Sequence, residues 1–180
     1  FQGLVRADGR VATRNYIGVV STVNCSSTVT KMVVEHFSRN GVLDAYPSVD
    51  GVVPITHSFG CCIEHNGEGV NQLRRTRVGF FKHANFAGVV VIGLGCEANQ
   101  MGALFMAQGI ETGKLIAPVV IQDVGGTRNA ADAAIAAVES MLPVANECRR
   151  EPVSARHLTV ALQCGGSDGY SGITANPALG

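Results

Sequence analysis

The stretch GVVVIGLGCEANQ, residues 88–100, decides how the rest of the chain is read. A run of apolar, mostly β-branched residues leads into Gly93-x-Gly95-x-x-Ala98, and a helical pattern follows at Met101, Leu104 and Phe105. An unbroken apolar run, unlike an alternating one, marks a strand covered on both faces. A strand that ends in a glycine turn and opens a helix is the repeating unit of a parallel α/β sheet. Cys96 and Glu97 are unusual occupants of such a turn. The loop is therefore either a cradle for a cofactor's phosphates or part of a reactive site.

Working outward, residues 16–22, 51–56, 115–121 and 157–162 join 87–92 as five apolar segments of strand character. Helical spacing lies between them. Val29, Met32, Val33, His36 and Phe37 share one face, as do Ala131, Ala134, Ile135, Val138, Met141 and Leu142. Val70, Leu73 and Phe80 mark a further helix. The strands start about 30 to 40 residues apart, the size of a βαβ unit. The expected fold is an open, mostly parallel five-stranded sheet with helices on both faces, Rossmann-like or flavodoxin-like in three layers. One α/β domain spans residues 1–180, and Asp8-Gly9 is expected to turn a short hairpin ahead of it.

The chain has 180 residues, 46% of them apolar and 16% charged, enough for one sizeable core. Lys plus Arg and Asp plus Glu number 14 each, and this balance argues against a nucleic-acid or membrane surface. The cluster Arg74-Arg75-x-Arg77 reads as the solvated face of a helix. Six irregularly spaced cysteines without a C-x-x-C motif, and no visible signal peptide, point to reduced thiols in a cytoplasmic protein. Cys148 is expected inside a helix. The Gly- and Ser-rich end, QCGGSDGYSGITANPALG, reads as a chain that continues, so this is expected to be one domain of a longer protein.

In doubly wound sheets the ligand crevice lies beyond the carboxyl ends of the strands, and here those ends carry the unusual residues. They hold Asn24-Cys25-Ser26, then His57 through His65 with Gly60, Cys61, Cys62 and Glu64, then Gly93 through Gln100. Asp123 follows the fourth segment, and Cys164-Gly165-Gly166-Ser167-Asp168 the fifth. Imidazole with carboxylate suits iron(II) or manganese, and glycine turns at helix starts suit a carboxylate or phosphate. Together they describe a hydroxy-acid site, in which a base removes a proton next to a held carboxylate. The cysteines match no iron–sulfur spacing. The dinucleotide reading of GLGCEA lacks an acidic residue about twenty positions on. A nucleotide is not expected, although an oxidoreductase domain and an assembly fragment inactive alone stay open as alternatives.

Four pieces carry a resemblance: DGRVATRNYIGVVSTVNCS, YPSVDGVVPITHSFGC, HANFAGVVVIGLGCE and QCGGSDGYSGITANP. In this order they resemble the altronate/galactarate dehydratase family of sugar-acid lyases, which includes sulfolactate sulfo-lyase large subunits. The segment Cys62-Ile63-Glu64-His65 departs from the pattern. The resemblance implies dehydration of an aldonic or aldaric acid to a 2-keto-3-deoxy acid, with iron(II), or manganese in its place, as cofactor. It also implies a central domain whose partners are the sugar acid, the parent chain's flanking N- and C-terminal domains and a homo-oligomeric copy. Expected catalytic residues are His57 as base, with Asp168 or Glu97 as acid. Expected metal ligands are His57, Cys61, Cys96, Glu97 and Cys164. Asn24, Cys25, Ser26, Gly60, Gly93, Gly95, Gly165, Gly166 and Ser167 are expected to line the substrate.

Overall fold

The computed structural model describes residues 1–113, 115–163 and 169–180. Elements follow in the order β1 (Gln2–Val5), β2 (Val11–Ala12), β3 (Tyr16–Ser21), α1 (Ser27–Arg39), β4 (Gly51–Ile55), α2 (Glu68–Phe81) and β5 (Phe86–Gly93). Then come α3 (Met101–Gln108), β6 (Ile116–Val120), α4 (Thr127–Asn146), β7 (Arg150–Pro152) and α5 (Ala175–Leu179).

β3 to β6 form a four-stranded sheet in the order β4-β3-β5-β6, with every pairing parallel. Val19, Val20 and Val89 to Ile92 are buried on the two central strands, which explains their unbroken apolar spelling. Each sheet face takes one pair of helices. α1 and α4 bring Val29, Val33 and Phe37 against Ala130, Ala134, Val138 and Leu142 on one side. α2 and α3 bring Val78, Phe81, Leu104 and Phe105 to the other. Small residues on α4 let it approach closely, and the apolar area removed from water is the main force holding the layers together. The chain runs from β3 outward to β4, then crosses over β3 to reach β5. The direction of winding reverses between β3 and β5, the flavodoxin-like order, and that reversal opens the crevice.

The three-layer reading from sequence is correct, but the fifth strand is not. Residues 157–162 pair with no strand, and Leu158, Val160 and Leu162 are exposed, Val160 by 77%. Their alternation has strand character, yet a strand forms only where a sheet edge and an apolar cover meet it. The extra strands lie elsewhere. β1, β2 and β7 make a separate antiparallel sheet in the order β2-β1-β7, with Leu4 opposite Ala12 and Gly3 opposite Glu151. Asp8-Gly9 turns this hairpin as expected, with Gly9 at φ 82°.

The small sheet is tied to the amino-terminal edge of the large one. Arg6 donates to the Ala84 carbonyl (2.8 Å) and the Asn15 amide oxygen (2.9 Å). Arg150 pairs with Asp50 at 3.0 Å, and the fully buried Asn15 donates to the Ser48 and Ala145 carbonyls. These residues precede strands, close α4 or follow it. The carboxyl edge is thereby left to the loops that carry the expected chemistry. Cys148 lies just past the end of α4, not within it. Among the described residues, no helix is long and apolar enough to cross a membrane.

Candidate functional site

Three loops meet at the carboxyl edge and are stitched to one another by their backbones. The Asn24 N–H donates to the Phe59 carbonyl (2.9 Å), joining the loop after β3 to the loop after β4. The Ala98 N–H donates to the Cys61 carbonyl (3.0 Å), joining the loop after β4 to the loop after β5. The Ser27 hydroxyl adds a bond to the His57 carbonyl at 3.3 Å. Asn24, Cys25, His57, Cys61, Cys96 and Glu97 are therefore brought to one place. Cys164, Gly165, Gly166, Ser167 and Asp168 lie outside the described residues.

Glu97 is the organising group of the β5 turn. It is 3% exposed. Its Oε1 accepts from the Thr22 hydroxyl (2.7 Å) and the Leu94 N–H (3.2 Å), and its Oε2 from the Gly95 N–H (2.5 Å). The glycine turn does cradle an anion, and that anion is the chain's own carboxylate. Through Thr22 the same carboxylate closes the switch point between β3 and β5. Gly93 has no room for a side chain, because a Cβ there would stand 2.8 Å from Glu97 Oε1. At Gly95, φ is +121° and a Cβ would stand 2.5 Å from Gln122 Oε1. Gly95→Ala is expected to cost about 1–3 kcal/mol from strained backbone alone, read as a lower urea midpoint. Beside this turn, Gly95, Glu97, Gln100, Met101, Val120 and Asp123 line a cleft of about 220 Å³.

His57 is half-buried, and its Nδ1 accepts from the Phe59 N–H at 3.2 Å. That bond favours the tautomer with the proton on Nε2, an atom buried without a hydrogen-bond partner. Burial first, and then the positive charge of Arg77, hold its pKa below the ordinary 6.5 against a smaller opposing pull from the nearby Thr22 backbone. The neutral imidazole is the favoured form. Because the folded state binds the proton less readily than the unfolded chain, stability is intact above the unfolded pKa. It declines as pH falls from about 6.5 toward the folded value. Denaturant melts at pH 7.5 and 5.5 are expected to show this decline, and His57→Gln to remove its own share of it.

The loop residues divide by task. Ser26 is fully buried and its hydroxyl donates to the Val23 carbonyl (2.9 Å), so its side chain builds the turn that starts α1. Cys25, Gly60, Cys62 and Cys96 are exposed and Cys61 is half-buried. The five described cysteines are free thiols. Cys61 and Cys62 touch at 3.7 Å between sulfurs. The Cys62 thiol is pushed up by its bond to Cys61, by the charge of Cys61, by burial and by the charges of Cys96 and Cys25. Glu64 lies with Phe59, Ile63, Val70 and Leu73 around a separate apolar hollow of about 330 Å³. Among the described residues, no three of His, Cys, Asp and Glu stand close enough to hold a metal ion.

Three participants went unread in the sequence: Thr22, Asn99 and Arg77. Arg75 behaves as expected of a solvated face, exposed and paired with Glu68 at 2.6 Å. Arg77 does not, being 4% exposed. Its Nη1 donates to the Ile55 carbonyl at 3.4 Å, and its Nε is buried without a partner. The signal lay in the helical phase. Arg74 and Arg77 share the stripe of Val70, Val78 and Phe81, which faces the sheet. Arg74 donates to the Asn99 amide oxygen at 3.0 Å.

Comparisons with known proteins find matches along the whole chain. The family described as D-galactarate dehydratase/altronate hydrolase, second domain, matches residues 3–146. The one described as D-galactarate/altronate dehydratase, C-terminal, matches residues 155–180. The altronate dehydratase of Bacillus subtilis (strain 168) is 31% identical over 180 residues, covering 100% of this chain and 35% of that protein. The galactarate dehydratase (L-threo-forming) of Escherichia coli (strain K12) is 36% identical over 189 residues, covering 100% and 35%. The (2R)-sulfolactate sulfo-lyase subunit beta of Chromohalobacter salexigens is 30% identical, covering 100% and 42%. The chain thus spans about a third to two-fifths of the length of these relatives.

Proposed function

The chain belongs to the D-galactarate dehydratase/altronate hydrolase family, and on that premise we propose that it forms the second domain of a lyase that dehydrates a sugar acid. The substrate class is an aldonic or aldaric acid, as in the names altronate and galactarate dehydratase, and the product is a 2-keto-3-deoxy acid. The observation that carries this reading is the convergence of the loops after β3, β4 and β5 around a His57 whose buried Nε2 has no internal partner.

His57, neutral at pH 7, takes the C2 proton on Nε2 as the tautomer that carries its own proton on Nδ1, which requires it to release the Phe59 N–H. The electron pair forms the C2–C3 double bond of an enol as the C3 hydroxyl leaves, protonated to water by an acid, for which Asp168 is the candidate. The enol then tautomerises to the 2-keto acid. Glu97 is assigned positioning, because both its oxygens are engaged by Thr22, Leu94 and Gly95. The same engagement weighs against a dinucleotide, since the amides that would hold a pyrophosphate already hold Glu97.

Dependence on iron(II) or manganese is part of the proposal. The described residues alone do not make a metal site. With His57 engaged as the base, Cys61 and Cys96 are the donors they offer, with Cys164 outside them.

The test is to incubate the full-length protein with altronate, galactarate and sulfolactate under anaerobic conditions and measure 2-keto acid. Release from a sugar acid supports the reading. Sulfite release from sulfolactate alone, or reduction of a nicotinamide cofactor, contradicts it.

A further inference from the structure

The turn expected to receive the substrate's carboxylate is filled by Glu97, so a sugar acid needs another seat for its charge. Resting on the dehydratase reading, we propose that Arg77, with Asn99 beside it, is that seat. Arg77 is buried to 4% exposure, and no carboxylate among the described residues lies within ion-pair distance of it. Its one internal bond, to the Ile55 carbonyl, is long at 3.4 Å and leaves Nε–H without a partner. A guanidinium is costly to bury uncompensated, and a planar carboxylate is the anion its fork of donors fits.

Asn99 supplies a second donor. Its Oδ1 accepts from Arg74 Nε (3.0 Å), which fixes the amide orientation, while its Nδ2 is buried without a partner and Asn99 is 2% exposed. Arg74 and Arg77 lie three residues apart on one face of α2, so the residue that holds Asn99 and the proposed seat share that face. The third buried atom without a partner, His57 Nε2, belongs to the same neighbourhood. His57 lies two residues past Ile55, whose carbonyl Arg77 grips, and the charge of Arg77 is felt at its ring. In a 2-hydroxy acid C2, which bears the proton, is bonded directly to the carboxylate carbon. An acid seated on Arg77 therefore offers that proton on the side where the base stands.

The test uses the full-length protein with Arg77→Met and Arg77→Lys, galactarate as the probe, and three readouts: calorimetric binding, KM and the thermal midpoint without ligand. Arg77→Met is expected to weaken binding and raise KM about 10- to 100-fold, the loss of a charge-assisted bond. The midpoint is expected to hold or rise, because an apolar chain replaces an unpaired buried charge. Arg77→Lys is expected to recover part of the affinity. Unchanged galactarate binding in Arg77→Met would overturn the seat, with Nε–H then met by solvent only. A lowered midpoint in both variants with unaltered binding would overturn it equally, leaving Arg77 a structural role. If the wild type binds galactarate through Arg77 yet releases no keto acid, the dehydratase reading fails and the seat stands. If Arg77→Met turns over normally, the reverse holds.

Discussion

His57→Ala in the full-length protein is expected to lower turnover of the sugar acid by about 10²- to 10⁴-fold, the usual contribution of a positioned general base. The expectation rests on three properties of one ring. Its Nδ1 accepts the Phe59 N–H at a long 3.2 Å, a bond the ring gives up when its proton shifts to Nδ1 and frees the Nε2 lone pair. That atom is buried without an internal partner. Burial and the charge of Arg77 keep the ring neutral, which is the protonation state a base requires. Binding is expected to change far less than turnover, because the carboxylate is held elsewhere. The check is steady-state kinetics beside calorimetric binding. Equal losses in both would place His57 in binding instead of proton transfer.

Glu97→Ala is expected to cost about 3 kcal/mol or more in stability, read from urea denaturation. The side chain accepts from one hydroxyl and two backbone N–H groups at 2.7, 3.2 and 2.5 Å in a buried turn. Its removal leaves all three donors unsatisfied, each at about 1–3 kcal/mol before relaxation. Glu97→Gln separates shape from charge. It can still accept from Thr22 and Leu94, but it sets an NH₂ against the Gly95 N–H, so an intermediate loss is expected. If both variants fold as stably as the wild type, Glu97 does not hold the loop, and its buried carboxylate is free for acid or ligand duty.

Much of this was legible in the sequence because double-sided burial leaves a plain mark. Val89 to Ile92 spell an uninterrupted apolar run, and the structure covers both faces of it. The gathering of Asn24, His57, Cys61 and Cys96 followed from parallel topology alone, which puts every loop after a strand at the same edge. Residues 157–162 misled because apolar alternation reports an appetite for pairing and not the presence of a partner. β7 is three residues of Arg-Glu-Pro, with no hydrophobic pattern to read. Arg77 was obscured by its neighbours, since a charge cluster counted by composition hides which member falls on the buried stripe. Glu97 was visible as an oddity, but sequence does not say which anion fills a glycine turn. Here the chain fills it from within, which leaves the substrate's charge to a partner on α2.

The most direct measurement is a crystal structure of the full-length protein, as His57→Ala to hold substrate intact, with altronate or galactarate bound. The expected result is a sugar acid at the carboxyl edge among the loops after β3, β4 and β5, its carboxylate on Arg77 and its C2 facing the position of the lost imidazole. A sugar acid bound away from the loops after β3, β4 and β5 would contradict it.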